Sequence, residues 1–317
     1  MNLCRVLERL VQLPVVLLGV SVIVFLMMAL TPGDPVEIML ADQRATAEQA
    51  ASLRHDLGLD RPLATRFLVF LGNALTGDFG SSFFQRRPVF DVIAERLPAT
   101  IELTLVALLV AVAVAVPLGV AAAVKRDSWL DRALSALSLF GVSLPGFWFG
   151  ILLILVFAVN LGVFPVGGRM PFSAEVARVT GFLLIDTLLA GRPDAFLRAL
   201  SHLALPAITL GLPTAALLAR VIRSAMAEVL AADYVLFAEA KGLPRRRVLF
   251  LHALKNALIP AVTVLAIETG SLLGGNMIVE TVFGWPGLGR LVVESIFARN
   301  YRSCRRRCCS MPSPMCC

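Results

Sequence analysis

Long apolar stretches free of charge constrain this chain more than any other feature of its sequence. Residues 10–30, 103–124, 133–168 and 203–219 contain no Asp, Glu, Lys or Arg, and residues 257–279 contain only Glu268. The hydrocarbon core of a bilayer takes about 20 apolar residues of helix, and a backbone without water must satisfy its polar groups internally. The five runs therefore predict an all-α, polytopic membrane protein with five spanning helices. One such run alone could be a buried helix of a soluble domain. Five in a chain that is 58% hydrophobic and 16% charged exclude that class, since globular domains are about 45–50% apolar and about 25% charged. The first run follows Arg5 and Arg9 but exceeds the apolar core of a secretory signal, so it reads as an uncleaved anchor.

The cations set the orientation. All three lysines, Lys125, Lys241 and Lys255, fall in two short connections, joined by Arg126, Arg132 and Arg245–Arg247. Cytoplasmic loops are rich in Lys and Arg, so these connections and the N-terminus are expected in the cytoplasm and segments 32–98 and 161–204 outside. The net charge of +7 thus describes membrane topology, and nucleic acid is not an expected partner. Thr31-Pro32-Gly33-Asp34-Pro35 ends the first helix. Residues 47–57 have helical periodicity, and Arg61-Pro62 and Thr76-Gly77-Asp78 mark turns. The second helix is expected to start after Pro98, the third to kink at Ser143-Leu144-Pro145-Gly146, and the fourth to run over about 205–230. Residues 182–189 are apolar but too short to span and are expected at the interface. The implied divisions are 1–31, 32–98, a core over 99–301, and 302–317.

The most informative connection runs Asp233-Tyr234-Val235-Leu236-Phe237-Ala238-Glu239-Ala240-Lys241-Gly242-Leu243-Pro244. Residues 234–241 predict a short helix, stopped by Gly242 and kept from continuing by Pro244. The small Ala238 and Ala240 would allow close approach of a partner, and Lys241 with Arg245–Arg247 would offer charge-assisted contacts. A solvated loop that merely obeys the charge rule is the alternative.

This loop, with HALKNALIP at 252–260, resembles the coupling loop of ABC importer permeases in the dipeptide, oligopeptide and nickel permease family. It departs from the general motif at Leu236 and Phe237, where a Glu is expected. The same family resemblance extends, in order, through TPGDPV (31–36), LGLDRPL (57–63), GDFGSS (77–82), LPATIEL (97–103), GVSLPGFWFG (141–150), LPAITLG (205–211) and GGNMIVETVFGWPGLGRL (274–291). It implies a type I importer permease fold in the bacterial inner membrane, with coupling loop 233–260. It also implies the partners: a second homologous permease, two ATP-binding subunits and a periplasmic solute-binding protein, with lipid around them. Peptides or peptide-like solutes are the implied cargo, with nickel or glutathione as alternatives. Coupling to the ATPase would then rest on Asp233, Tyr234, Ala238, Ala240, Lys241, Gly242 and Leu243. The chain has no G-x-x-x-x-G-K-[ST] phosphate loop, so ATP hydrolysis is expected elsewhere, and no cofactor or catalytic residue is expected here.

Ionisable groups inside spans are functional candidates. That makes Glu268 the first candidate for a translocation path, with Asn276 and Glu280 toward the outer end of the same helix and Ser143 at the kink. The competing reading has Glu268 bonded to a neighbouring helix and Glu280 capping a helix end. Arg220 and Arg223 are expected to snorkel to inner headgroups. No His/Cys/Asp cluster has metal-ligand spacing in a span. An intramembrane enzyme lacks an H-E-x-x-H motif or nucleophile–base pair, and a self-contained secondary transporter lacks the internal repeat.

The end of the chain departs from the family. Cys304, Cys308, Cys309, Cys316 and Cys317 fall in the last fourteen residues, with Arg302 before them and Arg305–Arg307 interspersed, where the resemblance implies a sixth helix. GC-rich codons for 302–317, read one base earlier, spell an apolar helix start. The expectation is a frame shift near Tyr301 that costs the sixth span, and a truncated, non-functional product is the corresponding alternative.

Overall fold

The computed structural model describes residues 3–30, 36, 47–56, 58–78, 80, 87–170 and 176–296. The Cys/Arg-rich run 302–317 and residues 31–35 lie outside them. The described residues are mostly helical and fall in two compact units, divided between residues 93 and 94 and between residues 294 and 295.

The first unit holds α1 (Leu3–Leu30), α2 (Ala47–Asp56) and α3 (Leu63–Leu75). The sequence-based bounds of α1 and α2 hold to within a residue or two, and Pro62, read as part of a turn, is the N-cap of a helix the sequence reading did not expect, α3. Phe25 of α1 packs edge-on against Phe67 of α3, with ring centroids 5.3 Å apart, and lies 6.0 Å from Phe70. Such aromatic pairs add about 0.5–1.5 kcal/mol beyond their burial.

The helix α4 (Val89–Val124) leads into the second unit, which continues with α5 (Trp129–Ser143) and α6, whose first part is Gly146–Leu153 and whose last turns, Ile154–Asn160, are π-helical. Next come α7 (Leu183–Leu189), α8 (Pro193–Leu230) and α9 (Asp233–Ala240). A continuous helix α10 (Arg245–Leu273) and the short α11 (Met277–Val282) follow, and residues 288–296 are again helical.

Several expected boundaries shift, each for a local reason. The second helix begins at Val89 and carries Pro98 and Pro117 inside it, and the fourth begins at Pro193 and carries Pro206 and Pro213. Proline removes one backbone bond, a loss that apolar helices absorb when neighbours pack around the freed carbonyl, while Pro193 sits in the first turn, where its missing N–H costs nothing. The run 133–168 is two helices, because Pro145 caps α6 with extended backbone (φ −61°, ψ 125°). The last apolar run also divides. α10 ends at Leu273, Gly275 takes φ +88°, and Asn276 caps α11 by accepting the Val279 amide. Asn276 and Glu280 therefore do not share the helix of Glu268. Among the described residues, α4, α8 and α10 are by themselves long and apolar enough to cross a bilayer, while α6 and residues 14–27 of α1 are shorter apolar stretches.

Close approach of α4 and α8 organises the second unit. A Cβ on Gly119 would stand 2.8 Å from the Ala219 carbonyl oxygen, and one on Gly211 would stand 2.7 Å from that of Ala107. Small residues at such crossings let backbones meet in an apolar medium, where packing replaces the hydrophobic drive. Around one crossing Ala111, Ala115, Ala122, Leu218, Ile222 and Met226 are buried. Around the other lie Leu103, Leu203, Leu210, Phe283 and Trp285.

Candidate functional site

Two constructions deserve the description of site, one on the connection between α8 and α10 and one around α11.

The α8–α10 connection is a short helix bolted down on one side. Val235 and Ala238 of α9 are buried against Val248 of α10, with Leu243, Val229 and Leu230 packed around them. Leu236, Phe237 and Tyr234 are left exposed, Phe237 at 61%. Ala238 thus turns inward, and the face available to a partner is aromatic and aliphatic, where the sequence pointed to small residues. Asp233 lies in the first turn of α9, where a carboxylate complements the helix dipole. The Lys241 ammonium sits 4.4 Å from the Phe237 ring centroid, a cation–π contact worth about 0.5–1 kcal/mol when exposed. The Asn256 side-chain amide donates to the Tyr234 hydroxyl over 2.9 Å, tying α9 to α10. Gly242 takes φ +76° with open space around it, and its amide donates to the Glu239 carbonyl at 2.9 Å. It therefore ends α9 through backbone conformation alone, as the sequence predicted. Ala240, Lys241 and Arg245–Arg247 are exposed, and Leu243 is half-buried.

The second construction is a carboxylate wrapped by a glycine loop. Glu280 of α11 is 1% exposed. Its Oε1 accepts the Thr100 hydroxyl of α4 at 3.1 Å, and its Oε2 accepts the Arg290 amide at 2.8 Å. The same Thr100 oxygen accepts the Leu288 amide at 2.8 Å, and the Trp285 indole donates to the Ala99 carbonyl at 2.9 Å. The loop 284–290 can close this tightly only without side chains. A Cβ on Gly287 would stand 2.4 Å from Glu280 Oε1, and one on Gly289 2.9 Å from Oε2. Burial pushes the Glu280 carboxyl above its ordinary range, against the opposing pull of the Arg290 amide and the Thr100 hydroxyl. The expected helix-capping role belongs to Asn276, and Glu280 fastens the loop to α4.

A neighbouring polar cluster holds the 161–192 connection. Arg169 donates to the buried Glu102 of α4 at 2.6 Å and to the Gly181 carbonyl at 2.8 Å, while the other Glu102 oxygen accepts the Leu184 amide at 2.7 Å. Asp186 of α7 accepts the Thr180 amide and hydroxyl at 2.8 and 2.7 Å. Burial alone would raise its pKa, but those donors and the Gly181 amide outweigh burial and hold it below the usual carboxylate value. The expectation of an interfacial apolar stretch at 182–189 misses this, since α7 buries Asp186 and Thr187.

The remaining candidates are dispersed. Glu268 is half-buried on α10, and Ser143 is the last residue of α5, at the break before α6. Arg220 is exposed. Arg223 is half-buried, and its guanidinium grips the buried Asp131 of α5 with both prongs, Nη2 to Oδ2 at 2.6 Å. His202, read as isolated, contacts the Gly167 carbonyl through Nδ1 at 3.1 Å. Among the described residues, no group of three or more His, Cys, Asp or Glu is arranged to hold a metal.

Comparison with known proteins adds the context. Residues 115–304 match the model of the binding-protein-dependent transport system inner membrane component, and residues 3–104 match that of the N-terminal part of such components. The di/tripeptide transport system permease protein DppB of Pseudomonas aeruginosa (strain UCBPP-PA14) is 45% identical over 283 residues, 89% of this chain and 84% of its own length. The dipeptide transport system permease protein DppB of Escherichia coli (strain K12) is 41% identical over 287 residues, covering 90% of this chain and 85% of its own. The glutathione transport system permease protein GsiC of Salmonella choleraesuis (strain SC-B67) is 40% identical over 296 residues, 93% and 87% of the two lengths.

Proposed function

This chain belongs to the binding-protein-dependent transport system inner membrane component family and is a permease subunit of a peptide ABC importer; from that premise we propose that α9 is the element through which a separate ATP-hydrolysing subunit drives it. The observation that carries this reading is the division of α9 into two faces. Val235 and Ala238 anchor it to the chain's own core, while Leu236 and Phe237 stay exposed beside Lys241 and Arg245–Arg247. A rigid helix with an apolar, cation-rimmed face fits insertion into a groove, where buried aromatic anchors supply most of the binding energy.

The working assembly in this reading holds a second homologous permease, two ATP-binding subunits and a periplasmic solute-binding protein. Closure of the ATPase pair moves α9 as a rigid body and switches the side from which the cavity is open, a hinge or shear transition. The five spans are α1, α4, α5 with α6, α8 and α10, with the N-terminus in the cytoplasm. Support comes from the exposed cations Lys125, Arg126, Lys241 and Arg245–Arg247 at the connections this topology places inside. Di- and tripeptides are the cargo we assign, after the names of the relatives at 41–45% identity, and glutathione, a tripeptide-like solute, is the second reading because of the 40% relative. Along the path we place Glu268, the acidic residue within the last long span, with Ser143 at the α5–α6 break and Asn276 beyond Gly275.

The test is ATP hydrolysis by the reconstituted complex in proteoliposomes, stimulated by peptide-loaded binding protein. Phe237→Ala is expected to abolish most of the stimulation while the chain still inserts. Full stimulation in a complex carrying Phe237→Ala would overturn the assignment of α9.

A further inference from the structure

Arg223 and Asp131 form a connection that the transport reading above does not use. Asp131 sits in the first turn of α5 and is 3% exposed. It belongs to a Ser128-x-x-Asp131 start signal: its amide donates to the Ser128 hydroxyl at 3.4 Å, and its Oδ2 accepts the Asp127 amide at 3.1 Å. This is close to the reciprocal capping pattern that fixes a helix start. The turn beneath it is held in a costly conformation, with Asp127 at φ +61°, and the Arg132 guanidinium donates to the Asp127 carbonyl at 3.2 Å. Asp131 therefore locks the start of α5 and grips Arg223 of α8 with the same carboxylate.

Arg223 stands seven residues before the end of α8 at Leu230, about 10 Å along the axis, and α9 follows two residues later. A helix over that length transmits displacement without bending. On the far side of the grip, Ser138 of α5 donates to the Ala216 carbonyl of α8 at 3.2 Å. There the packing opens into an apolar cavity of about 250 Å³, lined by Leu134, Leu137 and Gly141 of α5, Phe149 of α6, and Ala216 and Ala219 of α8. Close-packed interfaces resist movement. An interface that is tied at one end, hollow at the other and ends at the Ser143–Gly146 break is built to pivot.

We propose that the Asp131–Arg223 pair is a positioning tie that carries displacement of the α8–α9 corner onto α5, rotating α5 and α6 into the cavity during transport. The proposal rests on the reading of α9 as the coupling element. A bidentate guanidinium–carboxylate grip suits the task because it fixes direction as well as distance. Neither residue would touch the solute or ATP.

The experiment uses the full chain assembled with its partner subunits in proteoliposomes, comparing Asp131→Asn, Arg223→Lys and the parent. Asn keeps the side-chain volume and the acceptor for the Asp127 amide but leaves Arg223 without a charged partner. Lys keeps the charge and loses the fork. Both are expected to assemble and to keep basal ATP hydrolysis within about twofold, with peptide uptake reduced about tenfold or more for Asp131→Asn and less for Arg223→Lys. Spin labels at the exposed Ala136 of α5 and Glu239 of α9 supply a readout that lost stability would not mimic. Their separation should stay single and narrow through the nucleotide cycle in the parent, and split in Asp131→Asn as α9 moves and α5 stays. A narrow distribution with parental uptake in both variants overturns the tie. Failure of Phe237→Ala to lose stimulation overturns the coupling reading instead, so the two failures are distinguishable.

Discussion

Replacing Gly287 with Ala tests whether Glu280 is a fastener, and the structure sets the size of the effect. The new Cβ would stand 2.4 Å from Glu280 Oε1 and 2.5 Å from both Cδ and Oε2, where ordinary contact needs at least 3.4 Å. The carboxylate or the loop must therefore give by about 1 Å. A shift of that size stretches the Thr100 bond from 3.1 Å and the Arg290 bond from 2.8 Å past useful geometry. Hydrogen bonds to a charged group are worth about 1.5–3 kcal/mol each, so losing both costs about 3–6 kcal/mol. Some relaxation of the loop brings the expected loss to about 3–4 kcal/mol, above the usual range of about 1–3 for overpacking. The decisive comparison is Gly287→Ala in an Glu280→Ala background, where the colliding atoms are gone. There the same substitution should cost under about 1 kcal/mol, a coupling of about 2–3 kcal/mol between two residues in contact. The assay is equilibrium unfolding of the purified chain in bicelles, by SDS titration, for the four members of the cycle. Equal losses in the two backgrounds, additive to within about 0.5 kcal/mol, would refute the steric argument.

Three further outcomes follow from the same contacts. Glu280 has a raised folded-state pKa, so its contribution to stability is complete below the ordinary value of 4.5 and is lost as pH rises through the folded value. The parent chain should thus unfold at higher SDS in mild acid than at neutrality by this term, and Glu280→Gln should flatten that dependence. Asp186 has the opposite sign, because its folded-state pKa is lowered. Its stabilisation is present above the ordinary value of 3.8 and lost as pH falls through the lower folded value, so proteolysis of the 176–192 segment should rise only in strong acid and lose that dependence in Asp186→Asn. Arg169→Gln leaves the buried Glu102 carboxylate without its charged partner, a break that costs about 3–5 kcal/mol in buried pairs; the same SDS titration measures it, and a loss under about 1 kcal/mol would show that the Leu184 amide suffices.

Local signals made much of this legible in the sequence. Charge-free runs located α1, α4, α8 and α10, and the Gly242–Pro244 pair placed the end of α9 correctly. Proline misled at one point because its rule is local: Pro98 was read as a boundary, and a proline breaks an isolated helix but not one whose neighbours surround it. The polar pairs were hidden by distance in the chain. Asp131 meets Arg223 across 92 positions and Thr100 meets Glu280 across 180, and no periodicity links residues so far apart. Only the Ser128-x-x-Asp131 start signal was within reach of a sequence reading. Ala238 was read for its size, whereas its burial depends on where α9 faces.

Gly242 and Gly287 separate two reasons for glycine that a sequence motif cannot tell apart. At Gly287 the obstacle is a carboxylate 2.4 Å from the missing Cβ, so cost rises with side-chain size. At Gly242 nothing lies within 4 Å, and the obstacle is φ +76°. An L-residue there costs roughly 1–2 kcal/mol through contact with its own carbonyl, and Asn, which tolerates the left-handed region, costs less. A series of Asn, Ala and Val at each position should therefore order differently. At 242 Asn should keep most uptake, and Ala and Val should fall together as α9 loses its fixed end, with insertion unchanged. At 287 Ala should be tolerated best and Asn and Val worst, read as loss of folded chain. If uptake at 242 followed side-chain volume, a partner surface would be filling the open space, and the end of α9 would be set by that contact and not by its own backbone.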